Sequence, residues 1–110
     1  MYDPNKDFFI NQSTDQKTLP ERYHITQVAL FASGIFAGAT VRLEVSPDEY
    51  IPGETDPDEM KWFTNPEGIY TEEVWNNADL AELWVRATLS DASEDTLVSF
   101  KMRPRLSVGN

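Results

Sequence analysis

The chain contains no cysteine. Disulfides, thiolate nucleophiles and zinc ribbons are thereby excluded, and the chain fits a reducing compartment or one where redox state is irrelevant. Histidine occurs once, at His24. A Ser-His-Asp arrangement would have to be built on that residue, which sits in a candidate strand with no Gly-x-Ser-x-Gly near it. Long apolar runs are missing too: the most apolar stretch, 28–45, is interrupted by Ser33, Gly34, Gly38, Thr40, Arg42 and Glu44, so no membrane span is expected. The first residues lack the basic region and apolar run of a signal peptide, which predicts a protein that stays where it is made or leaves by cell lysis. Bases are scarce, nine against nineteen acids, and the resulting charge of −10 repels nucleic-acid phosphates.

What remains is 110 residues, enough for one domain with one core. Its charge is unevenly distributed. Between Glu44 and Glu59 stand seven acids and no base, whereas after Asp95 the only charges are Lys101, Arg103 and Arg105. An acidic loop of one copy can in principle meet the basic end of another copy or of a different partner. Glu54, Asp56, Asp58 and Glu59 do not have the spacing of a twelve-residue calcium loop, because the required glycine is missing and Pro57 intrudes. Gly34 and Gly38 read as turn glycines, since no helix follows them to complete a phosphate cradle. No catalytic residue, metal ligand or cofactor site is expected.

Alternation dominates the middle of the chain. Val41, Leu43 and Val45 alternate with Thr40, Arg42 and Glu44, and Ala81, Leu83, Val85, Ala87 and Leu89 occupy successive odd positions, so both stretches read as half-buried strands. Val98, Phe100 and Met102 mark a closing strand over 96–103. Between Arg22 and Ala32 the apolar phase switches, which suggests a bulge near Gln27. Residues 46–59 read as an exposed acidic loop, Met60–Thr64 as a short strand, Asn65-Pro66-Glu67-Gly68 as a turn, and 71–77 as at most one helical turn. Trp62 and Trp84 are expected to be partly buried against their own sheets. Residues 1–20 show neither period around the apolar knot Phe8-Phe9-Ile10, so an arm is expected that packs on its own domain or on a neighbouring chain.

The expected fold is all-β: an antiparallel β-sandwich, jelly-roll or Ig-like, over 22–103, with an extended N-terminal arm at 1–21 and a tail at 104–110. Tyr2, Phe8, Phe9, Ile10, Arg103 and Arg105 are the expected partner-interface residues.

The run from Gly34 through Phe36, Gly38, Ala39, Thr40, Val41 and Leu43 to Ser46 and Asp48, followed by Trp62, Val85-Arg86-Ala87-Thr88-Leu89-Ser90 and Thr96-Leu97-Val98, resembles small β-sandwich proteins of tailed bacteriophage virions. The resemblance covers about residues 26–103. It implies that Val41, Leu43 and Val45 fill the core and that Trp62 packs across the sheets. It further implies a non-enzymatic virion protein made in the host cytoplasm, most closely a capsid decoration or cement protein. Such a protein binds and stabilises the lattice of the major capsid protein, as a homo-oligomer such as a trimer, with no nucleic-acid or membrane partner. A head-tail adaptor or tail-surface component is the near alternative. Other classes are a carbohydrate-binding module stacking sugars on Trp62, Trp75 or Trp84, and an acidic inhibitor that mimics nucleic acid. The chain departs from the family pattern after Asp48, where an acidic, proline-containing loop replaces a tight glycine turn.

Overall fold

Alternation becomes sheet where the two phases separate cleanly. In β5 (Thr40–Ser46) Val41 and Leu43 are buried, and in β8 (Trp84–Ser90) Val85, Ala87 and Leu89 are. The computed structural model describes residues 6–22, 27–80 and 83–104. Before β5 lie β1 (Lys6–Gln12), the two short pieces β2 (Gln16–Lys17) and β3 (Glu21–Arg22), and β4 (Gln27–Ile35). A 3₁₀ turn at Pro57–Glu59, β6 (Phe63–Tyr70) and β7 (Val74–Asp79) separate β5 from β8, and β9 (Leu97–Pro104) closes the fold.

Two antiparallel sheets pack face to face. Sheet A has the order β1-β9-β4-β7, and sheet B the order β2-β8-β5-β6, with β3 continuing the line of β2 along β8. Counting β2 and β3 as one broken strand gives, among the described residues, eight strands in jelly-roll order. At the break, Thr18 maintains the ladder itself: its amide donates to the Ala87 carbonyl and its hydroxyl accepts from the Ala87 amide, both at 2.9 Å. Between the sheets lie Val28, Leu30, Val41, Leu43, Leu80, Val85, Leu89, Val98, Phe100 and Met102, together with Phe9.

The expected arm is a strand. β1 pairs antiparallel with β9, and a bulge between Asp7 and Phe9 sets two residues against Phe100. That bulge explains the lack of a period, because it turns consecutive phenylalanines toward the core. Phe9 is 1% exposed and Phe8 packs at 5.1 Å, ring to ring, on Phe100. The sandwich therefore includes residues 6–12, ahead of the expected start at 22, and Phe8 and Phe9 are engaged within their own domain rather than presented to a partner. Tyr2, Arg105 and the Ile10 side chain lie outside the described residues, as does the expected tail beyond Pro104.

Three further expectations give way. Asn65-Pro66-Glu67-Gly68 is not a turn: β6 runs through it, and the register with β5 slips between Arg42 and Glu44. Gly68 lies against Leu43 so closely that an added Cβ would come within 2.7 Å of the Leu43 Cβ. Residues 74–79, with 71–73 as a bend, form an edge strand and not a helical turn. Nor is Gly34 in a turn; it lies in β4, whereas Ala37 and Gly38, both at positive φ, make the turn between β4 and β5. The switch near Gln27 borders residues outside the description.

Tyr70, at the β6 end of the core, donates from its hydroxyl to the Glu67 carbonyl at 2.6 Å and sits edge-on to Phe100. Burial, reinforced by the Glu67 carboxylate, pushes its phenol up to about 12. Because the folded value is raised, its stabilising contribution is complete below the unfolded value of about 10 and is lost as pH rises through about 12. Alkaline titration followed by phenolate absorbance should show a tyrosine ionising near pH 12, together with the loss of structure.

Candidate functional site

The outer face of sheet B is a polar trough of about 660 Å³ crossing four strands. Its floor comes from residues that alternate with the core: Arg42 and Glu44 on β5, Arg86 and Thr88 on β8, Thr64 on β6 and Lys17 on β2. Register sets the pairing, since Arg86 stands opposite Glu44 and Thr88 opposite Arg42. Arg42 Nη1 donates to Ser90 Oγ at 2.7 Å. Asp15 closes one end, accepting from the Ala92 amide at 2.8 Å.

Arg86 is the hub of the other end. Its Nε donates to Glu44 Oε1 at 2.8 Å and its Nη1 to Asp58 Oδ1 at 3.3 Å, with side-chain exposures of 8% for Arg86 and 16% for Glu44. The guanidinium lies 4.4 Å from the Trp62 ring centroid, and Trp62 Nε1 donates to the Pro57 carbonyl at 2.7 Å. Lys17 Nζ reaches the same Asp58 oxygen at 3.3 Å. Hydrogen bonding to Lys17, then to Arg86, holds the Asp58 carboxyl below its ordinary value.

The acidic loop thus folds onto sheet B as a clasp. It is stitched internally by Lys61 N to Asp48 Oδ2 at 2.6 Å, Asp58 N to Asp56 Oδ1 at 3.0 Å and Ile51 N to Thr55 Oγ1 at 2.9 Å. Met60 is buried beneath it. Trp62 accordingly lies on the outside of sheet B, under its own loop, rather than across the two sheets. Trp84 packs edge-on to Tyr50 at 5.2 Å, and its buried Nε1 finds no acceptor among the described residues. Asp48, Asp56 and Asp58 bond to the chain's own donors, and no cluster of metal-ligating side chains forms among the described residues.

Replacing Arg86 with alanine should lower unfolding free energy by about 3 kcal/mol, because Glu44 loses its partner in a largely desolvated place. Arg86→Lys should recover only part, since an ammonium cannot bridge two carboxylates while lying flat on an indole. Urea unfolding measures both variants; an alanine cost under about 1 kcal/mol would reduce the clasp to an ordinary surface ion pair.

Sheet A presents an outer face of another kind. Phe31 and Trp75 stand opposite each other on β4 and β7 with ring centroids 6.3 Å apart, and Ile35 faces Leu97 across β4 and β9. All four are exposed, Trp75 by 63% and Ile35 by 56%. Lys101 pairs with Phe31 in the same register, and Arg103 pairs with Ala29 while reaching Asp7 Oδ1 at 3.5 Å. Of the six expected interface residues, Arg103 alone is placed on this face. The signal for the rest was present: Phe31, Ile35 and Leu97 are apolar residues on the solvent phase of strands whose other phase is already core.

No family model, curated protein or solved structure matches this chain.

Proposed function

We propose that the chain is a non-enzymatic structural protein of a bacteriophage virion, a decoration or cement protein that binds the major capsid protein lattice through the outer face of sheet A. The observation that carries the proposal is a row holding two exposed apolar pairs, Trp75 with Phe31 and Ile35 with Leu97, on either side of the paired Ser33 and Ser99. A solvated face of an antiparallel sheet ordinarily carries polar residues, and large apolar side chains gathered on one exposed face with a polar surround mark a surface that meets a partner. The row sits on rigid strands rather than a loop, so little ordering entropy opposes docking. A jelly roll is frequent among capsid and lectin domains, a fold-level analogy that agrees with the sequence resemblance without deciding between those roles.

The mechanism is linkage. A protein that binds the mature lattice and not its dissociated subunits stabilises the lattice by the free energy of binding, and each apolar side chain covered contributes at about 25 cal/mol per Å². Trp75→Asp, an exposed edge-strand change, should leave the melting temperature nearly unchanged and abolish retention on undecorated capsids in a pelleting assay. Full retention of this variant would remove sheet A from the account. A copy number matching one ring, rather than one scaling with the shell subunits, would place the protein at the neck or tail instead.

A further inference from the structure

We infer that the trough on the outer face of sheet B binds a carbohydrate chain, a second site separate from the apolar face of sheet A. The trough offers donors and acceptors side by side. Arg42 engages Ser90 through Nη1 and, among the described residues, has no carboxylate within ion-pair distance. That leaves its other guanidinium N–H groups able to donate to a ligand. Glu44 uses Oε1 for Arg86 and Asp15 uses Oδ1 for Ala92, which leaves the second oxygen of each as an acceptor. Thr64 and Thr88 add hydroxyls that can do either.

This mixture selects the ligand class. A sugar hydroxyl donates and accepts at once, and vicinal pairs of hydroxyls match planar guanidinium and carboxylate groups bidentately. A phosphate or an acidic peptide calls for donors alone, and here it would meet Asp15 and Glu44 on a chain of charge −10. The volume falls within the range of small-ligand sites. Strands set about 4.8 Å apart repeat the polar groups at close to the length of one pyranose unit, so a short oligosaccharide can lie across several strands. Ile69, exposed and in register with Arg42 at the β6 side, supplies an apolar surface for the C–H face of a ring. Trp62 gives one face of its indole to Arg86 and does not line the trough.

The test is titration of the ¹⁵N-labelled chain with a panel of neutral hexasaccharides (gluco-, manno-, galacto- and xylo-configured), followed by amide chemical shifts. At least one should give saturable shifts centred on residues 42, 44, 64 and 88. Arg42→Met and Thr64→Val, each checked for an unchanged melting temperature, should weaken that binding by about tenfold, and Trp75→Ala should not. The inference is overturned if no hexasaccharide gives saturable shifts, if the shifts centre on Phe31 and Trp75, if Arg42→Met binds like the parent, or if inorganic phosphate competes for the site.

Discussion

Phe9→Ala is expected to lower the unfolding free energy by about 3 to 5 kcal/mol, the cost of removing a buried aromatic ring from a core that cannot collapse around the gap. Phe9 is 1% exposed and stands opposite Phe100 in the β1–β9 pairing, while Phe8 packs on the Phe100 ring. For a domain with the usual total of roughly 5 to 15 kcal/mol, this is a large fraction. Chemical denaturation of the full chain measures it, and Phe8→Ala, at a half-buried position, should cost clearly less. A Phe9→Ala variant as stable as the parent would mean that residues 6–12 are an arm after all. The same reasoning predicts that removing residues 1–12 weakens the whole domain, so lost binding after that truncation would report unfolding rather than a missing contact.

Gly34→Ala should be nearly as damaging although the residue is exposed. At φ +109° the backbone is in a region that residues with a Cβ rarely occupy, and an added Cβ would lie 2.0 Å from the Leu97 carbonyl oxygen. That oxygen belongs to the neighbouring strand and cannot move without breaking the β4–β9 ladder, where Gly34 pairs with Val98. A cost of about 4 kcal/mol or more is expected. Gly38 is the internal control. It has φ +90° with open space around it, so Gly38→Ala should cost only the conformational strain, about 1 kcal/mol. Thermal melts of the two variants separate close approach from conformation; equal shifts would show that contact with Leu97 is not what demands glycine. Because β4 and β9 also carry Ile35 and Leu97, Gly34→Ala should disturb the sheet A face as well.

Strands with one buried and one solvated phase were legible in the sequence. β5, β8 and β9 announce themselves through Val41-x-Leu43, Val85-x-Ala87-x-Leu89 and Val98-x-Phe100-x-Met102. Strands containing a bulge were not. In β1 the extra residue places Phe8 and Phe9 toward the same side, and in β6 the irregularity sets Asn-Pro-Glu-Gly, whose local chemistry reads as a turn, against the single residue Leu43. β7 hides for another reason: as an edge strand with polar residues on both phases it has little alternation to show.

The trough was illegible because its parts are distant along the chain. Lys17, Arg42, Thr64 and Arg86 each look like the ordinary wet side of a strand, and only register brings them together. Trp62 was visible as a residue of interest, but not that one face of its indole would lie against Arg86. The acidic loop could be read as exposed and charged. Its use of Asp58 to clasp Arg86 and Lys17 depends on a fold-back that no local pattern encodes.

The central claim, a virion protein held on its lattice by the outer face of sheet A, is tested most directly by quantitative mass spectrometry of purified particles assembled with the parent chain or with Trp75→Asp. The account predicts that the parent is present in proportion to the major capsid protein and that the variant, though folded, is depleted from particles. Absence of the parent chain from the particles, or equal incorporation of both, would contradict it.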